Sequence, residues 1–450
     1  MRNSSPLACA AFLFTLLASV VASPVVNTIN TGNTFSVPLI HDADKPRHGP
    51  SEILKTLKKY KLEIPNGLQE VVDKHHAKMA LLATHGGGNG SVPAQSKDGD
   101  LLWLAPVSIG TPPQKLFVDL DTGSTDSWFF STETKPSEVN GQTLWNPNKS
   151  STAAFIPDCS WSIIYGDWST SSGTCYTDTF ALGGISIPNM TIESASTVST
   201  MFTATGYMSG LVGLAWPYLK QTVPPQKALI EFLPDVLDLP VFTVDFRHNS
   251  SDGSFNFGYI DETLHDSDIV YTNIDNSDGF WGVKNTAFGI SGENLTYSFL
   301  TPKTVIVDTG TTLLFAPEAA VDTYFAKVPG ANFSLEEYGY VVPCDAELPD
   351  FLWEISDEDG NVVKGAIPGS YFIYAHTTDE LCFAGLQSIS SFTGVQGIFG
   401  DIFLKSGFFV FDVKGQRLGA ASKPLNVSNS KRDMSQSTNI DERDYETISI

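Results

Sequence analysis

The sequence is poor in basic residues and in charge generally, and these shortages exclude whole classes of protein. Its 450 residues include 27 Lys and Arg against 50 Asp and Glu, a formal charge of −23, with no stripe of Lys and Arg interleaved with aromatic residues. Such a surface would repel phosphate, so no nucleic-acid partner is expected. With 42% hydrophobic and only 17% charged residues, 29 Phe and 37 Gly, the chain is typical of a strand-rich globular protein.

Motifs of two common hydrolase classes are also missing. There is no Gly-x-Ser-x-Gly, so His85-Gly86-Gly87-Gly88, which resembles the oxyanion loop of a lipase, has no nucleophile to serve. There is no His-Glu-x-x-His either, and the histidines that follow residue 85 are His248, His265 and His376. These absences argue against a serine hydrolase and a metalloprotease, and we expect neither a metal nor a cofactor.

The chain begins with a pattern typical of a secretory signal. Met1-Arg2 precedes an apolar stretch that runs roughly from Leu7 to Val21, and cleavage is expected after about Ala22. The alternative is a membrane anchor, but the apolar run is short for a bilayer and no later segment would span one. Residues 1–22 are therefore predicted to be a signal peptide, and the mature protein to be secreted without a membrane partner. An acidic vacuole is the alternative destination.

Cysteines and glycosylation sequons agree with a secretory route. Cys9 leaves with the signal, and four cysteines remain, for which the sequence permits three pairings. Cys159 and Cys175 lie symmetrically about residue 167 in a predicted hairpin, so we favour the pairs 159–175 and 344–382. Beyond the predicted signal peptide, seven Asn-x-Ser/Thr sequons are candidate glycosylation sites: Asn89, Asn148, Asn189, Asn249, Asn294, Asn332 and Asn426.

The only basic part of the chain follows the signal. Residues 23–85 contain eight Lys and Arg, six Asp and Glu and five of the eight His, whereas residues 86–450 carry a formal charge of −26. Apolar residues recur at helical spacing within 51–82: Ile53, Leu54, Leu57, Leu68, Val71, Val72, Met79 and Leu82. A Gly-rich, protease-accessible joint begins at Gly86. We interpret residues 23–90 as a propeptide with its activation joint.

After Leu101 the helical signals fade. Short runs of Val, Ile, Phe and Thr alternate with Gly, Asn, Asp and Pro, which predicts an all-β body. Beyond residue 425 the chain is polar with few apolar residues, so 426–450 are predicted to be a disordered tail.

An internal repeat divides the body in two. Residues 118–125 (VDLDTGST) return as 305–312 (VIVDTGTT), a displacement of 187 with five of eight positions identical. Gly213 and Gly400 each follow the Asp of their own copy by 92 residues, so the same displacement holds twice. Two copies of one unit predict two similar lobes, which we place at 91–265 and 266–425.

The repeated Asp-Thr-Gly turns predict an acid–base pair. If the lobes meet about an approximate two-fold axis, Asp121 and Asp308 face each other across it. Two close carboxylates cannot both ionise cheaply, so they share a proton and titrate as a pair. Together they can hold a water molecule, deprotonate it as it attacks a peptide carbonyl and protonate the carbonyl oxygen, with no covalent intermediate.

With these motifs the chain resembles the pepsin-type aspartic proteases, and most closely the secreted fungal members. The matching segments are 121–128 (DTGSTDSW), 308–312 (DTGTT), 279–281 (GFW), 343–344 (PC) and 397–401 (GIFGD). The resemblance implies an all-β bilobal fold of two related six-stranded β-barrel lobes with the active-site cleft between them. It also implies an endopeptidase that cleaves proteins at acidic pH and prefers large hydrophobic residues around the scissile bond. A monomer is the default expectation. Cys344 and Cys382 fall where the family keeps a disulfide.

The same resemblance assigns roles around the two catalytic Asp residues. The supporting residues are Thr122, Gly123, Ser124, Thr309, Gly310 and Thr311. Tyr165, Gly166 and Asp167 correspond to the tip of the flap, a β-hairpin that closes over substrate, and Tyr165 is expected to hydrogen-bond toward Trp128. Asp167 further predicts acceptance of Lys beside the scissile bond, the alternative being a solvent-facing turn residue. Trp168 departs from the family, which usually has Gly there.

Latency is expected from charge. The basic propeptide would lie across the anionic cleft as an intramolecular inhibitor, with Lys74 or Lys78 between the two Asp residues, until acid weakens the attraction. The alternative is a catalytically inactive pepsin-like binding or inhibitor protein. Such proteins usually lose a catalytic Asp or a flap residue, whereas both Asp residues and Tyr165 are present here.

Overall fold

The chain folds mainly into β-structure, as the sequence predicts. A computed structural model describes residues 34–41, 47–84, 103–164, 170–203, 208–250, 253–284, 286–291, 296–298, 304–389 and 395–425. None of the helices in these ranges is both long and apolar enough to cross a bilayer.

Strands outnumber helices throughout the described part of the body. The first strands are β1 (Phe35–Pro38), β2 (Ile40–His41), β3 (Trp103–Ile109), β4 (Gln114–Asp121), β5 (Ser127–Phe130), β6 (Ala154–Ile164), β7 (Thr170–Leu182), β8 (Ile185–Val198), β9 (Gly210–Gly213), β10 (Thr222–Val223), β11 (Val241–Asp245) and β12 (Ser254–Phe257). The later strands are β13 (Val270–Asp275), β14 (Gly282–Val283), β15 (Thr286–Ile290), β16 (Thr296–Ser298), β17 (Thr304–Val307), β18 (Leu314–Pro317), β19 (Asn332–Ser334), β20 (Gly339–Pro343), β21 (Phe351–Ser356), β22 (Val362–Ile367), β23 (Ile373–His376), β24 (Leu381–Ala384), β25 (Leu386–Ile389), β26 (Val395–Phe399), β27 (Phe408–Asp412) and β28 (Arg417–Ala421). The α-helices are α1 (Gly49–Lys59), α2 (Leu68–Thr84), α3 (Thr200–Thr203), α4 (Leu233–Val236), α5 (Glu318–Phe325) and α6 (Asp401–Leu404). Short 3₁₀ turns occupy Pro136–Glu138, Pro147–Lys149, Pro217–Leu219, Leu229–Glu231 and Gly369–Phe372.

Residues 34–41 and 47–84, here called the leading segment, dock on the body. The helical spacing seen in the sequence corresponds to α1 and α2. Pro50 lies in the first turn of α1, where a missing N–H costs nothing. Leu54 and Leu57 are buried on its apolar face. β1 pairs antiparallel with β12 and β2 with β3, so the leading segment extends two sheets of the body.

Within the described residues the strands form two large sheets and two small ones. The large sheets have the orders β1-β12-β11-β27-β28-β13-β14-β17-β26-β18-β25 and β10-β6-β7-β8-β5-β9-β4-β3-β2. The small sheets are β16-β15-β21-β22 and β19-β20-β24-β23. Central strands such as β5, with all four residues buried, read as continuous apolar runs because both of their faces are covered.

The internal repeat has a structural counterpart. The order β8-β5-β9-β4 in one large sheet is matched by β25-β18-β26-β17 in the other. In each copy the strand before the Asp-Thr-Gly turn pairs parallel with the strand that ends at or just before the distant glycine. The strand after the turn pairs antiparallel with that same strand. Asp121 is opposite Gly213, which explains the constant separation of 92 residues.

The predicted hairpin and both favoured disulfides are present. β6 and β7 pair antiparallel from Ala154 to Ile164, and Cys159 is bonded to Cys175 across them. The second disulfide joins Cys344 to Cys382 of β24. The tip of the hairpin, residues 165–169, lies outside the described residues.

Four of the seven sequon asparagines lie in described segments, and all four are exposed: Asn148, Asn189, Asn249 and Asn332. The other three, Asn89, Asn294 and Asn426, lie outside the described residues.

A buried ionic cluster lies directly behind the first Asp-Thr-Gly motif. Lys220 Nζ hydrogen-bonds Glu193 and lies 3.6 Å from Asp126 Oδ1, and all three side chains are buried. Two carboxylates thus share one ammonium group. Burial, together with the charge of Glu193, raises the pKa of Asp126 to about 8, although Lys220 acts in the opposite direction. Ionisation of Asp126 therefore leaves one uncompensated negative charge in the core.

We expect this cluster to make the lobe less stable as the pH rises. Because the pKa of Asp126 is raised by folding from 3.8, its stabilising effect is complete below about pH 4 and is lost on the way to about pH 8. Between pH 4.5 and pH 7 the loss should be on the order of 3 kcal/mol. Asp126→Asn leaves the pair Glu193–Lys220 balanced and should remove most of this loss.

Urea unfolding at both pH values, in a background carrying Asp121→Asn to prevent self-digestion, measures the difference. Asp275→Asn is the matched control, because hydrogen bonds from Ser277 and Lys284 lower the pKa of Asp275 to about 2, outside the window. Equal pH dependence of the Asp126→Asn and control proteins would contradict the assignment.

Candidate active site

The two Asp-Thr-Gly turns bring Asp121 and Asp308 together in nearly identical surroundings. Asp121 ends β4 and Asp308 follows β17, and their exposed fractions are 2% and 0%. Gly123 N donates to Asp121 Oδ1 at 2.8 Å, and Ser124 Oγ donates to Oδ2 at 2.6 Å. For the second carboxylate, Gly310 N donates to Asp308 Oδ1 at 2.9 Å, and Thr311 Oγ1 donates to Oδ2. The structure thus places Gly123, Ser124, Gly310 and Thr311 around the two carboxylates, and their role in catalysis stays a prediction.

Glycine is required in both turns because each turn approaches the opposite carboxylate. A Cβ atom on Gly123 would overlap Asp308 Oδ1, and a Cβ atom on Gly310 would overlap Asp121 Oδ1. Only a residue without a side chain allows this approach.

The two threonines tie the turns to each other. Thr122 N donates to Thr309 Oγ1 and Thr309 N donates to Thr122 Oγ1, both at 3.0 Å. Each hydroxyl then donates across the axis, Thr122 to the carbonyl of Val307 at 3.2 Å and Thr309 to that of Leu120 at 2.7 Å. All of these groups are buried, so the network fixes the spacing of the carboxylates.

Trp128 belongs to a buried hydrophobic cluster, and the flap contact expected for it stays a prediction. Its side chain is fully buried, with its ring centroid 5.0 Å from that of Phe202 and 6.2 Å from that of Trp161. Tyr165, Gly166, Asp167 and Trp168 lie outside the described residues.

The cleft is occupied by the end of helix α1. Lys59 Nζ lies 2.8 Å from Asp121 Oδ1, 3.0 Å from Asp308 Oδ1 and 2.9 Å from Asp308 Oδ2. Tyr60 OH donates to Asp308 Oδ2 at 2.6 Å, and its ring packs against Phe280 at a centroid distance of 5.0 Å.

The prediction of Lys74 at this position is wrong. Lys74 lies on an exposed face of α2, where Nζ pairs with Glu70 at 2.8 Å. The side chain of Lys78 lies outside the described ones. Sequence analysis missed Lys59 and Tyr60, whose only signal is the basic run 58–61 (KKYK) at the end of an amphipathic helix.

Opposite charges stabilise the closed arrangement. Burial alone would lower the pKa of Lys59, but the two carboxylates outweigh it and raise the pKa. For Asp308 burial would raise the pKa, yet the charge of Lys59 and hydrogen bonds from Thr311 and Tyr60 hold it well below its usual range. Burial and the charge of Asp308 raise the pKa of Asp121 despite Lys59. Lys59 therefore compensates the negative charge of the carboxylate pair in the closed state.

Further contacts hold the leading segment on the body. Thr312 Oγ1 donates at 3.1 Å to Oε2 of Glu52, a buried residue of α1. Arg47 Nη1 donates to the carbonyl of Tyr374 at 2.6 Å. Tyr338 OH donates to the carbonyl of Asn66 at 2.7 Å. The ion pair at Lys59 is thus the centre of a wider interface.

Known proteins are similar to this chain in sequence over most of its length. Residues 102–423 match the family model of the eukaryotic aspartyl proteases. The chain is 38% identical to endothiapepsin of Cryphonectria parasitica over 393 residues, which cover 86% of this chain and 90% of that protein. It is 38% identical to podosporapepsin of Podospora anserina over 381 residues, 82% of this chain and 86% of that protein. It is 40% identical to aspergillopepsin-1 of Aspergillus clavatus over 337 residues, 74% of this chain and 82% of that protein. The resemblance read from the sequence is confirmed, and the chain belongs to the eukaryotic aspartyl protease family.

Proposed function

We propose that the protein is a secreted aspartic endopeptidase, made as a zymogen, that hydrolyses peptide bonds of protein substrates at acidic pH. The observation that carries the proposal is the pair of equivalent buried carboxylates, Asp121 and Asp308, each with the same two hydrogen-bond donors. Relatives named as aspartic proteases and endopeptidases support it.

Catalysis would take place where Lys59 Nζ now lies. That atom is within 3.0 Å of both carboxylates, so a water molecule in its place could hydrogen-bond to both. Once the lysine has left, two close carboxylates in a buried site share one proton. The ionised member then removes a proton from the water as it attacks the peptide carbonyl, while the other protonates the carbonyl oxygen.

Substrate preference is proposed from the walls of the cleft. The ring of Tyr60 packs on Phe280 beside Asp308, so large apolar side chains of a substrate could take its place. Asp167 of the flap would allow Lys beside the scissile bond as well, since a carboxylate there would pair with the ammonium group.

The leading segment is proposed to be the inhibitory part of the precursor, within residues 23–90. Lys59 neutralises the dyad and Tyr60 blocks its side, so neither water nor substrate could bind there at the same time. Residues 1–22 would direct secretion, the lobes 91–265 and 266–425 would form a monomeric enzyme, and no cofactor is needed for this chemistry. A catalytically inactive binding protein remains the second candidate, although it would not require both carboxylates with all their donors.

Replacing either catalytic carboxylate should abolish proteolysis. In acid-treated protein assayed on haemoglobin at about pH 3.5, Asp121→Asn and Asp308→Asn should each lower the rate by about 100- to 10,000-fold, because each removes one member of the acid–base pair. Pepstatin, which mimics the tetrahedral intermediate, should abolish the activity of the unaltered protein.

Asp379→Asn, at an exposed position, is the matched control and should keep full activity. Because an uncleaved Asn variant would also be inactive, the leading segment is removed from each variant with an added protease before assay. Absence of digestion by the unaltered matured protein would favour the inactive binding protein, and activity that survives Asp121→Asn would refute the assigned residues.

Lys59→Gln should expose the cleft of the uncleaved precursor even near neutral pH. Removing one partner of a buried ion pair typically costs about 3 kcal/mol or more, which would raise the fraction of open precursor over 100-fold. The measurement is binding of a fluorescent pepstatin to uncleaved precursor at about pH 6. Lys74→Gln is the control, since Lys74 is exposed on α2. Equal binding of pepstatin by the Lys59→Gln and Lys74→Gln variants would contradict the proposal that Lys59 holds the precursor closed.

A further inference from the structure

Three histidines meet where α1 begins and α2 passes over it. The rings of His48 and His75 are stacked with centroids 3.6 Å apart, and the ring centroids of His75 and His76 are 6.0 Å apart. Ser51 Oγ lies 2.7 Å from His48 Nδ1 and 3.5 Å from His76 Nε2. We call His48, His75 and His76 the histidine cluster.

The largest charge effects on His48 come from the other two members of the cluster. The positive charges of His75 and His76 lower the pKa of His48. The negative charge of Glu52, a residue of α1, raises it. Glu52 also accepts a hydrogen bond from Thr312 of the body. On α2 the flanking acids have partners of their own, because Glu70 pairs with Lys74 and Asp73 accepts from Gln69.

The body contributes uncharged surface on the other side of α1. β20 (GYVVP) and β24 (LCFA) contain no acidic or basic residue. Gly49, next to His48, packs directly on the ring of Phe383. Tyr340 of β20 is titratable, but its hydroxyl donates to Asp322. Arg47 precedes the cluster and reaches the carbonyl of Tyr374, adding positive rather than negative charge nearby.

Helix α1 connects the histidine cluster to the ion pair that Lys59 forms with Asp121 and Asp308. His48 is its N-cap, Lys59 is its last residue, and 11 residues at 1.5 Å each make the helix about 16 Å long. α2 covers α1 through the histidine contact at one end and through Lys58 Nζ, which donates to Gln69 Oε1 at 2.6 Å, near the other. Separation of α2 would therefore remove the support along the length of the helix that carries Lys59.

Mild acid does little to the ion pair between Lys59 and Asp308 itself. Because Lys59, Thr311 and Tyr60 hold the pKa of Asp308 well below its usual range, Asp308 keeps its charge and its partner through the moderately acidic range. A group that gains a proton at higher pH must act if the precursor is to open there.

We propose that the histidine cluster is the acid sensor of the precursor: protonation of its imidazoles puts like charges into one contact, separates α2 from α1 and frees Lys59 from the two carboxylates. The inference rests on the zymogen function proposed above and names the group that regulates it.

The pH range in which the precursor should open follows from the pKa of His48. Burial lowers its pKa from 6.5 to about 3, helped by the charges of His75 and His76 and opposed by Glu52. Since the closed state disfavours the proton, His48 stabilises closure above about pH 6.5, and this contribution is lost as the pH falls toward about 3. At pH 4.5, two units below 6.5, protonation of His48 alone should raise the open fraction about 100-fold relative to neutral pH.

Hydrogen exchange of α1 and α2 in the uncleaved precursor tests the proposal without relying on enzyme activity. Precursor is moved from pH 7 to pH 4.5, and exchange over the first seconds is read by mass spectrometry. The unaltered chain should lose protection of both helices, whereas His48→Asn should retain up to about 100-fold more protection. His376→Asn, an exposed histidine of the body, is the matched control and should behave as the unaltered chain.

Two further variants make the outcome decisive. If His48→Asn is already unprotected at pH 7, the double variant His75→Asn, His76→Asn replaces it. If Glu52→Gln, rather than the histidine variants, shifts the pH of opening, the sensor is a carboxylate and the proposal is overturned. The proposal is also overturned if all histidine variants open like the unaltered chain. A precursor that opens at pH 4.5 through the histidines but never digests protein would instead refute the proposed protease function alone.

Discussion

The close approach of two buried carboxylates is the constraint on which the rest of the structure depends. Two negative charges this close repel each other strongly in a poorly solvated site, so they have to be held in place by groups that cannot relax. The repeat supplies those groups twice: a backbone N–H and a hydroxyl for each carboxylate, and a threonine from each turn bonded across the axis. The glycines are part of the same requirement, because any side chain there would displace the opposite carboxylate.

The same electrostatic problem arises twice and is solved by lysine in both places. Lys220 compensates Asp126 and Glu193 inside the body, and Lys59 compensates Asp121 and Asp308 from the leading segment. The two differ in permanence under the proposed zymogen function, because Lys220 belongs to the body whereas Lys59 would leave with the leading segment. Residues 86–450, with a formal charge of −26, would then have a permanent charge balance in the core and a removable one in the cleft.

Sequence reasoning succeeded where information is local or repeated. Asp121 and Asp308 were identifiable because one displacement relates both turns and both distant glycines, and the β6–β7 hairpin because its cysteines are symmetric about one point. Lys59 was not identifiable, because Lys55, Lys58, Lys59 and Lys61 carry the same charge and only the rotation of α1 against the body selects one of them. The cluster of Asp126, Glu193 and Lys220 was missed for a related reason: its members are far apart in sequence and meet through the pairing of β5 with β8.

One ion pair cannot easily hold the precursor closed at neutral pH and also break in mild acid. The more tightly Lys59 binds Asp308, the lower the pKa of that carboxylate becomes, and the more acid is needed to break the pair. Strength of closure and the pH of release are therefore coupled as long as the pair senses pH by itself. Histidines at the far end of the same helix remove that coupling, because their proton affinity is set by their own burial and mutual repulsion. The ion pair of Lys59 can then remain strong at neutral pH, while the precursor begins to open in mild acid.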